Sequence, residues 1–432
     1  MREIVGLLRT NRNYRYSWSG QIVSEIGDHF NTIAVFSLAL KGTGSGAVVA
    51  GVMLSRAIPV VLAGPLAGVL LDRMNRKHLM IASDLVRMVF ALCFILAVQR
   101  PEPWLLYLLS ALLMFASPFF TSGRSSILPS IVNRDELHTA NSLTQTTQWT
   151  TTAVGAFLAG LSVHKFGYTW AFIINSLSFL FSAWCISRLS VKGRAFRPER
   201  KALTESDVVR PFHEYREGLR YMKSTPLILA VALVAVGWAT GGGAAQILFG
   251  LFGEVVFKKG AEGIGVIWGC AGLGLIAGGA FAHAFGKRIN FENYKKTISI
   301  CYIIHGGAYV IFSQMEQYWA ALIFIALSRS AVAVSSVLNF SHLLRHVSDT
   351  YRGRVFATLE TMTWGTMMIS MTIAGYASQH YSPRTIGACA GILSSMTAIF
   401  WTWANVTGRL PEPARVGVEA DEVEVHGDQR WR

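Results

Sequence analysis

Glu25 and Asp28 stand three residues apart in a long, mostly apolar stretch, so on a helix they share one face. An ionised group in lipid costs at least about 2.5–3.5 kcal/mol on insertion scales and needs a partner or a wet cavity. With entry near Tyr16 and a rise of about 1.5 Å per residue, the two acids lie roughly 14 and 18 Å deep. Arg56, in the next apolar stretch, lies about 13 Å in from the opposite side. In a hydrocarbon core of about 30 Å the three share a depth, and an acid–arginine contact between neighbouring antiparallel helices is expected. Two chemistries fit. One acid exchanges a proton, its neutral form favoured by burial and its charged form by the guanidinium; or the acids and Arg56 form a structural ion pair that never titrates.

Arg329 also falls near mid-depth, where it can meet an anionic substrate group or pair with Glu360, itself close to a span's end. Gln145, Gln148, Trp149, Trp238, Gln246 and Asn339 suit a cavity that takes affinity from aromatic area and orientation from a few polar groups. Interhelical hydrogen bonding is the competing account for each. Asp84 and Arg87, three apart, read as an intrahelical pair supporting the adjacent loop. His283 and His305 have no companion at metal-ligand spacing, and the five cysteines are scattered singly, so neither a metal site nor a disulfide framework is expected. The glycine-rich segments 237–245 and 269–279 lack the lysine and strand context of a phosphate loop; close helix packing is the better account.

These residues must be positioned by membrane-spanning elements. Of 432 residues 52% are hydrophobic and only 15% charged, with mean hydropathy +0.39, against roughly 25% charged in a soluble domain. Twelve stretches are long enough to cross a bilayer as helices: 16–40, 47–71, 78–98, 103–123, 141–163, 168–187, 227–252, 261–285, 297–315, 317–341, 355–379 and 385–408. Some, notably 16–40, carry enough polar residues to escape a hydropathy scan. The net charge of +14 is unevenly placed: 30 basic residues fall on the face bearing both termini and six on the other. That asymmetry makes the termini cytoplasmic and removes nucleic acid as the reason for the charge. No cleavable signal peptide is expected. The basic segment 188–226 divides the chain into a bundle at 1–187 and a second at 227–410; its Asp207–Lys223 stretch suits an amphipathic helix on the inner membrane surface. The tail at 411–432 reads as disordered and cytoplasmic.

The two halves echo each other. GVLLDRMNRK at 68–77 matches GAFAHAFGKR at 279–288, and LPSIVNRDELHTANSL at 128–143 matches LRHVSDTYRGRVFATL at 344–359 at nearly the same offset. Repeated six-helix units with matching basic turns imply a pseudo-symmetric carrier whose central site opens alternately to each side.

The turn at Gly68, Asp72, Arg73, Arg76 and Lys77 resembles the signature of the major facilitator superfamily, with Asn75 where the general pattern has glycine. The longer stretches GPLAGVLLDRMNRKHLMIASDLVR, LPSIVNRDELHTANSL and AFIINSLSFLFSA are similar to the branch of macrolide-efflux-like and enterobactin-exporter-like permeases. The resemblance implies twelve transmembrane helices in two pseudo-symmetric six-helix bundles. It also implies a latch on the cytoplasmic side, in which Asp72 faces the start of helix eleven near Arg354, where free backbone amides favour an acid. Arg124 is the charge-assisted partner expected there. Gly155 and Gly160 match a Gly-Pro-rich antiporter motif loosely, Ala156 standing where proline is expected.

The resemblance further implies a secondary active exporter of a hydrophobic or amphiphilic small molecule (drug-, macrolide- or siderophore-like), driven by proton antiport in a bacterial cytoplasmic membrane. A uniporter or uptake permease for a metabolite is the alternative, and a non-transporting membrane sensor a third reading. No nucleophile elbow, paired metal ligands or ATP-binding motif is present to suggest an enzyme. The expected partners are the lipid bilayer, a small-molecule substrate and protons, with no cofactor, no nucleic acid and a monomeric chain.

Overall fold

The computed structural model describes residues 2–100, 102–133, 136–190, 196 and 205–413. From residue 414 the expected disordered tail lies outside the described residues, as do 191–195 and 197–204 of the central segment. The described residues form fourteen α-helices and no strand: α1 (Arg2–Thr10), α2 (Arg12–Thr43), α3 (Gly46–Arg73), α4 (Arg76–Gln99), α5 (Pro103–Ile131), α6 (Leu137–Phe166), α7 (Tyr168–Ser187), α8 (Glu205–Ser224), α9 (Pro226–Leu251), α10 (Gly260–Phe285), α11 (Phe291–Gln314), α12 (Tyr318–His346), α13 (Asp349–Ala377) and α14 (Pro383–Val406). α9 runs on into a π-helical turn, Phe252–Val256.

The twelve expected spans are α2–α7 and α9–α14. Eight of these are long and apolar enough to cross a membrane by length and composition. The other four, α2, α6, α11 and α13, are of spanning length but more polar, as the composition of 16–40 foreshadows.

Local chemistry sets the helix ends. Asn11, Asn75 and Asn290 each accept a hydrogen bond from a backbone amide in the first turn of α2, α4 and α11, supplying an acceptor that the helix start lacks. Asn75 therefore explains its own departure from the signature: its Oδ1 accepts from Lys77 N at 3.0 Å. Gly44 closes α2 at φ 61°, and Gly167 joins α6 to α7 at φ 83°, conformations that a side chain disfavours.

Packing obeys a single exchange rule. In the first half α2 packs on α6 and α7, α3 on α5, and α4 on α5 and α7. In the second, α9 packs on α13 and α14, α10 on α12, and α11 on α12 and α14. Substituting α2–α7 by α9–α14 in order converts the first set into the second. The principal contacts between halves, α6 with α10 and α3 with α13, are interchanged by that substitution.

Small residues let the two halves approach, as expected where lipid provides no hydrophobic drive. A Cβ on Gly160 of α6 would lie 2.7 Å from Ala261 O, and one on Gly265 of α10 would lie 2.5 Å from Ala156 O. Glycines 241, 243, 274 and 278 likewise face backbone carbonyls of α14, α13 and α12, so the glycine-rich segments serve close packing. The helix expected in the central segment is α8, which packs on α13 and α9. Tyr221 stacks on Tyr351 with centroids 4.7 Å apart, and Glu217 pairs with Arg354 at 2.8 Å.

Candidate functional site

Contacts between the halves gather on the face away from the α3–α4 turn. There Ser37 Oγ of α2 donates to Glu254 Oε2 of the π turn at 3.0 Å and sits 3.2 Å from Tyr168 OH. His164 of α6 lies 3.7 Å from Glu262 of α10. Gly46 and Ala50 of α3 meet Ser378 and Gly375 of α13.

The opposite, basic face is parted at α3 and α13. Asp72 has 77% of its side chain exposed and, among the described residues, only Arg76 of its own half as ion-pair partner, at 3.8 Å. A Cβ on Gly64 or Gly68 of α3, or on Gly353 or Gly365 of α13, would meet nothing within 4 Å. Arg73 is exposed. Arg76 and Lys77 are turned to their own half: Arg76 Nη1 donates to Ser126 O at 3.2 Å, and Lys77 Nζ to Ser187 O and Leu189 O at 2.8 Å. Among the described residues the expected contact of Asp72 with α13 is therefore absent, because the end of α3 and the start of α13 stand apart. Arg124 does not serve that latch either; it lies 3.6 Å from Glu25.

The buried charges pair differently from the sequence expectation. Glu25 Oε1 accepts from Gln21 at 2.8 Å and Oε2 from Thr151 at 2.7 Å, so Glu25 is fully engaged between α2, α5 and α6. Arg56 makes no ion pair with Glu25 or Asp28. Its guanidinium donates to Asn31 Oδ1 at 2.9 Å and Thr32 Oγ1 at 3.0 Å, neutral acceptors one turn beyond Asp28. Asp28 Oδ1 is buried with no hydrogen-bond partner.

Asp84 and Arg87 do form the intrahelical pair expected of them. Their side chains are 0% and 3% exposed, however, and the guanidinium lies between Phe120 and Phe179, 4.7 and 4.4 Å from the ring centroids. The pair belongs to the bundle interior and not to the neighbouring loop.

A cavity of about 300 Å³ opens where α6 of the first half meets α9, α10 and α12 of the second. Trp149, Trp238, Gln246 and Arg329 line it, four of the residues expected to form a cavity. Trp268 and Phe249 line it too and were missed by sequence reasoning; an uncharged aromatic residue in an apolar helix carries no signal of the face it occupies. Arg329 lies over the Phe249 ring at 5.1 Å and does not pair with Glu360, which is exposed. The remaining candidates lie elsewhere. Asn339 accepts from Tyr294 OH of α11 at 2.8 Å, the interhelical role, and donates to Ser335 Oγ of its own helix at 3.3 Å; it lies two residues beyond Val337, where the cavity lining on α12 ends. Gln148 is exposed beside Trp149, Arg56 is held against α2, and the side chain of Gln145 lies outside the described residues. Among the described residues no group of three or more His, Cys, Asp or Glu could hold a metal ion.

The profile described as Major Facilitator Superfamily matches residues 18–363. The chain is 23% identical over 367 residues to the putative bacilysin exporter BacE of Bacillus subtilis, covering 84% of this chain and 89% of that protein. It is 22% identical to macrolide efflux protein A of Streptococcus pyogenes, covering 88% and 92%. The match to the uncharacterized MFS-type transporter YfiS of Bacillus subtilis, 28% identical, spans about half of each chain, 53% and 54%. Among solved structures, a bacterial homologue of the iron transporter ferroportin in its inward-facing state superposes with a TM-score of 0.66 at 17% identity, covering 90% of this chain and 98% of that one. The nucleoside transporter NupG also gives 0.66, at 12% identity with 90% and 98% covered.

Proposed function

This chain belongs to the Major Facilitator Superfamily of multi-pass membrane transporters, and from that premise we propose that it exports an amphiphilic small molecule by proton antiport. The proposal places it in the cytoplasmic membrane of a bacterium with the basic face inside, since lysine and arginine mark the cytoplasmic side. The parted basic face is then the inward-facing state, with the cavity awaiting cargo from the cytoplasm. The observation that carries this reading is a cavity built by both halves beneath a sealed outer end. Rocking the halves about that cavity would part α6 from α10 and close α3 on α13. Asp72 would then reach the start of α13, as the family signature implies. Names of two relatives, an exporter and an efflux protein, support the outward direction.

Asp28 is the proposed coupling acid. Among Glu25, Asp28 and Asp84, only Asp28 lacks a basic side chain within ion-pair distance among the described residues. A buried carboxylate so placed is stabilised by taking a proton, and cargo or helix movement that brings a guanidinium to it would release that proton. Glu25 is proposed as a structural partner of Arg124.

The test uses proteoliposomes with an imposed pH gradient and an internal pH dye. Compounds from an amphiphile panel that are carried should dissipate the gradient, and Asp28→Asn should abolish that proton movement. Cargo that moves downhill at a rate indifferent to the gradient would sink the antiport reading and leave a uniporter.

A further inference from the structure

Three side chains that line the cavity, Trp238, Trp268 and Arg329, carry only hydrogen-bond donors. Trp238 Nε1 and Trp268 Nε1 are buried with no hydrogen-bond partner, and an indole N–H can only donate. Arg329, 8% exposed, has no carboxylate within ion-pair distance among the described residues; it lies over the Phe249 ring and borders a small void together with His305 and Tyr309. A guanidinium keeps its proton in a protein, so it cannot escape burial by becoming neutral. No Asp or Glu lines the cavity. Gln246 is the one lining side chain bearing a carbonyl acceptor, and it carries donors as well.

We infer that the cavity takes an oxyanion carried on a small apolar body, a carboxylate or a phosphate monoester. The arginine fork matches either group with two parallel hydrogen bonds, and rotation of either unpartnered indole at the cavity wall would add a donor to its oxygens. Trp149 and Phe249 give the aromatic area that holds the apolar part. Two further features narrow the class. At about 300 Å³ the cavity sits at the small end of ligand pockets, which run about 300–1,000 Å³, so the body is of the order of one or two fused rings. A cationic amphiphile would meet a fixed positive charge with no acid to offset it. This inference names the substrate class of the exporter proposed above and rests on that reading only for calling the bound molecule cargo; binding can be measured without transport.

The experiment is calorimetric titration of the full-length protein in neutral-lipid nanodiscs with four naphthyl probes of matched ring: 1-naphthylacetate, 1-naphthyl phosphate, 1-naphthylacetamide and 1-(1-naphthyl)ethylammonium. At least one oxyanion should bind about tenfold or more tighter than the amide, with the ammonium weakest; the better oxyanion distinguishes carboxylate from phosphate cargo. Arg329→Gln should bring the oxyanion down to the level of the amide while the amide itself changes less than about twofold. Should that variant not fold, Trp268→Phe removes a single donor and should weaken the oxyanion by about three- to tenfold, sparing the amide. Equal or tighter binding of the amide or ammonium, persistence of the oxyanion preference in Arg329→Gln, or saturable binding of none of the four would overturn the inference. Oxyanion preference with no transport of the bound probe sinks the export reading alone. Transport of the amide or ammonium without oxyanion preference sinks this inference alone.

Discussion

Arg56 of α3 reaches α2 one turn beyond Asp28, where its guanidinium is bound by Asn31 and Thr32, while Asp28 Oδ1 is buried without a hydrogen-bond partner. Neutral acceptors thus satisfy the cation and leave the anion alone. A structural ion pair would do the reverse, and this relationship supports the coupling role proposed for Asp28.

Asp28→Asn should therefore keep the fold and lose coupling. Asparagine keeps the size of the carboxyl and removes its titration without breaking an ion pair, so thermal stability in detergent should hold or rise. Proton movement with cargo should fall to background in the same preparation. A fall in melting temperature with coupling intact would reverse the assignment.

Glu25→Gln should behave differently. Arg124 loses its carboxylate and Thr151 its charged acceptor, but both charged side chains are 21% exposed, so the loss is about 1 kcal/mol. Gradient-driven transport should persist. Thermal unfolding and proteoliposome transport on one sample check both halves of the statement.

Asp84 and Arg87 set the opposite extreme of burial. Arg87→Met strands a carboxylate among α4, α5 and α7, at a cost of about 3–5 kcal/mol. The double change Asp84→Asn with Arg87→Met should recover most of that loss, because no charge is left unpaired. A double-mutant cycle in chemical denaturation gives the coupling, and additive losses would show that the pair does not act as a unit.

Asn75 tests the signature turn. Asn75→Ala removes the acceptor for Lys77 N and should cost about 1 kcal/mol, whereas Asn75→Gly should cost only a few tenths. Either variant should slow transport far less than Asp72→Asn; Asp72 is exposed and among the described residues pairs only with Arg76, so that change should leave the melting temperature unchanged. Melting curves and initial transport rates distinguish the cap from the latch.

The seal between α6 and α10 depends on two missing side chains. Gly265→Leu places bulk against Ala156 O and Gly160, which should hold the sealed ends of α6 and α10 apart and, in the proposed orientation, favour the outward-facing state. A cysteine at Ser37, in a background lacking the five native cysteines, should then label faster from outside. Unchanged labelling would mean that the closed outer end tolerates the bulk.

The spans, their repeat and the side on which the basic turns lie were legible in the chain because each is a one-dimensional property. Lipid demands a minimum length of apolar helix, and charge asymmetry needs only counting along loops. Trp149, Trp238, Gln246 and Arg329 could be nominated as cavity residues because polar and aromatic groups at mid-span are costly or conspicuous there. Asn339 met the same criteria and proved to be a hydrogen-bonding partner of Tyr294, while Trp268 met none and lines the cavity. The face a residue occupies is set by helix rotation and tilt, and helices apolar all round encode neither in their periodicity.

The sequence by itself determined that the chain is a twelve-span body of two related halves with charges buried in it, since hydrocarbon thickness and the energetic penalty of ionised groups act on composition along the chain. Only the tertiary structure decided which charges meet. Arg124 joined Glu25 and not a latch, Arg56 took neutral acceptors, and Arg329 faced a void bordered by two unpartnered indoles. Those choices depend on distances of a few ångströms between helices remote in sequence, where electrostatic and hydrogen-bond energies change steeply with separation.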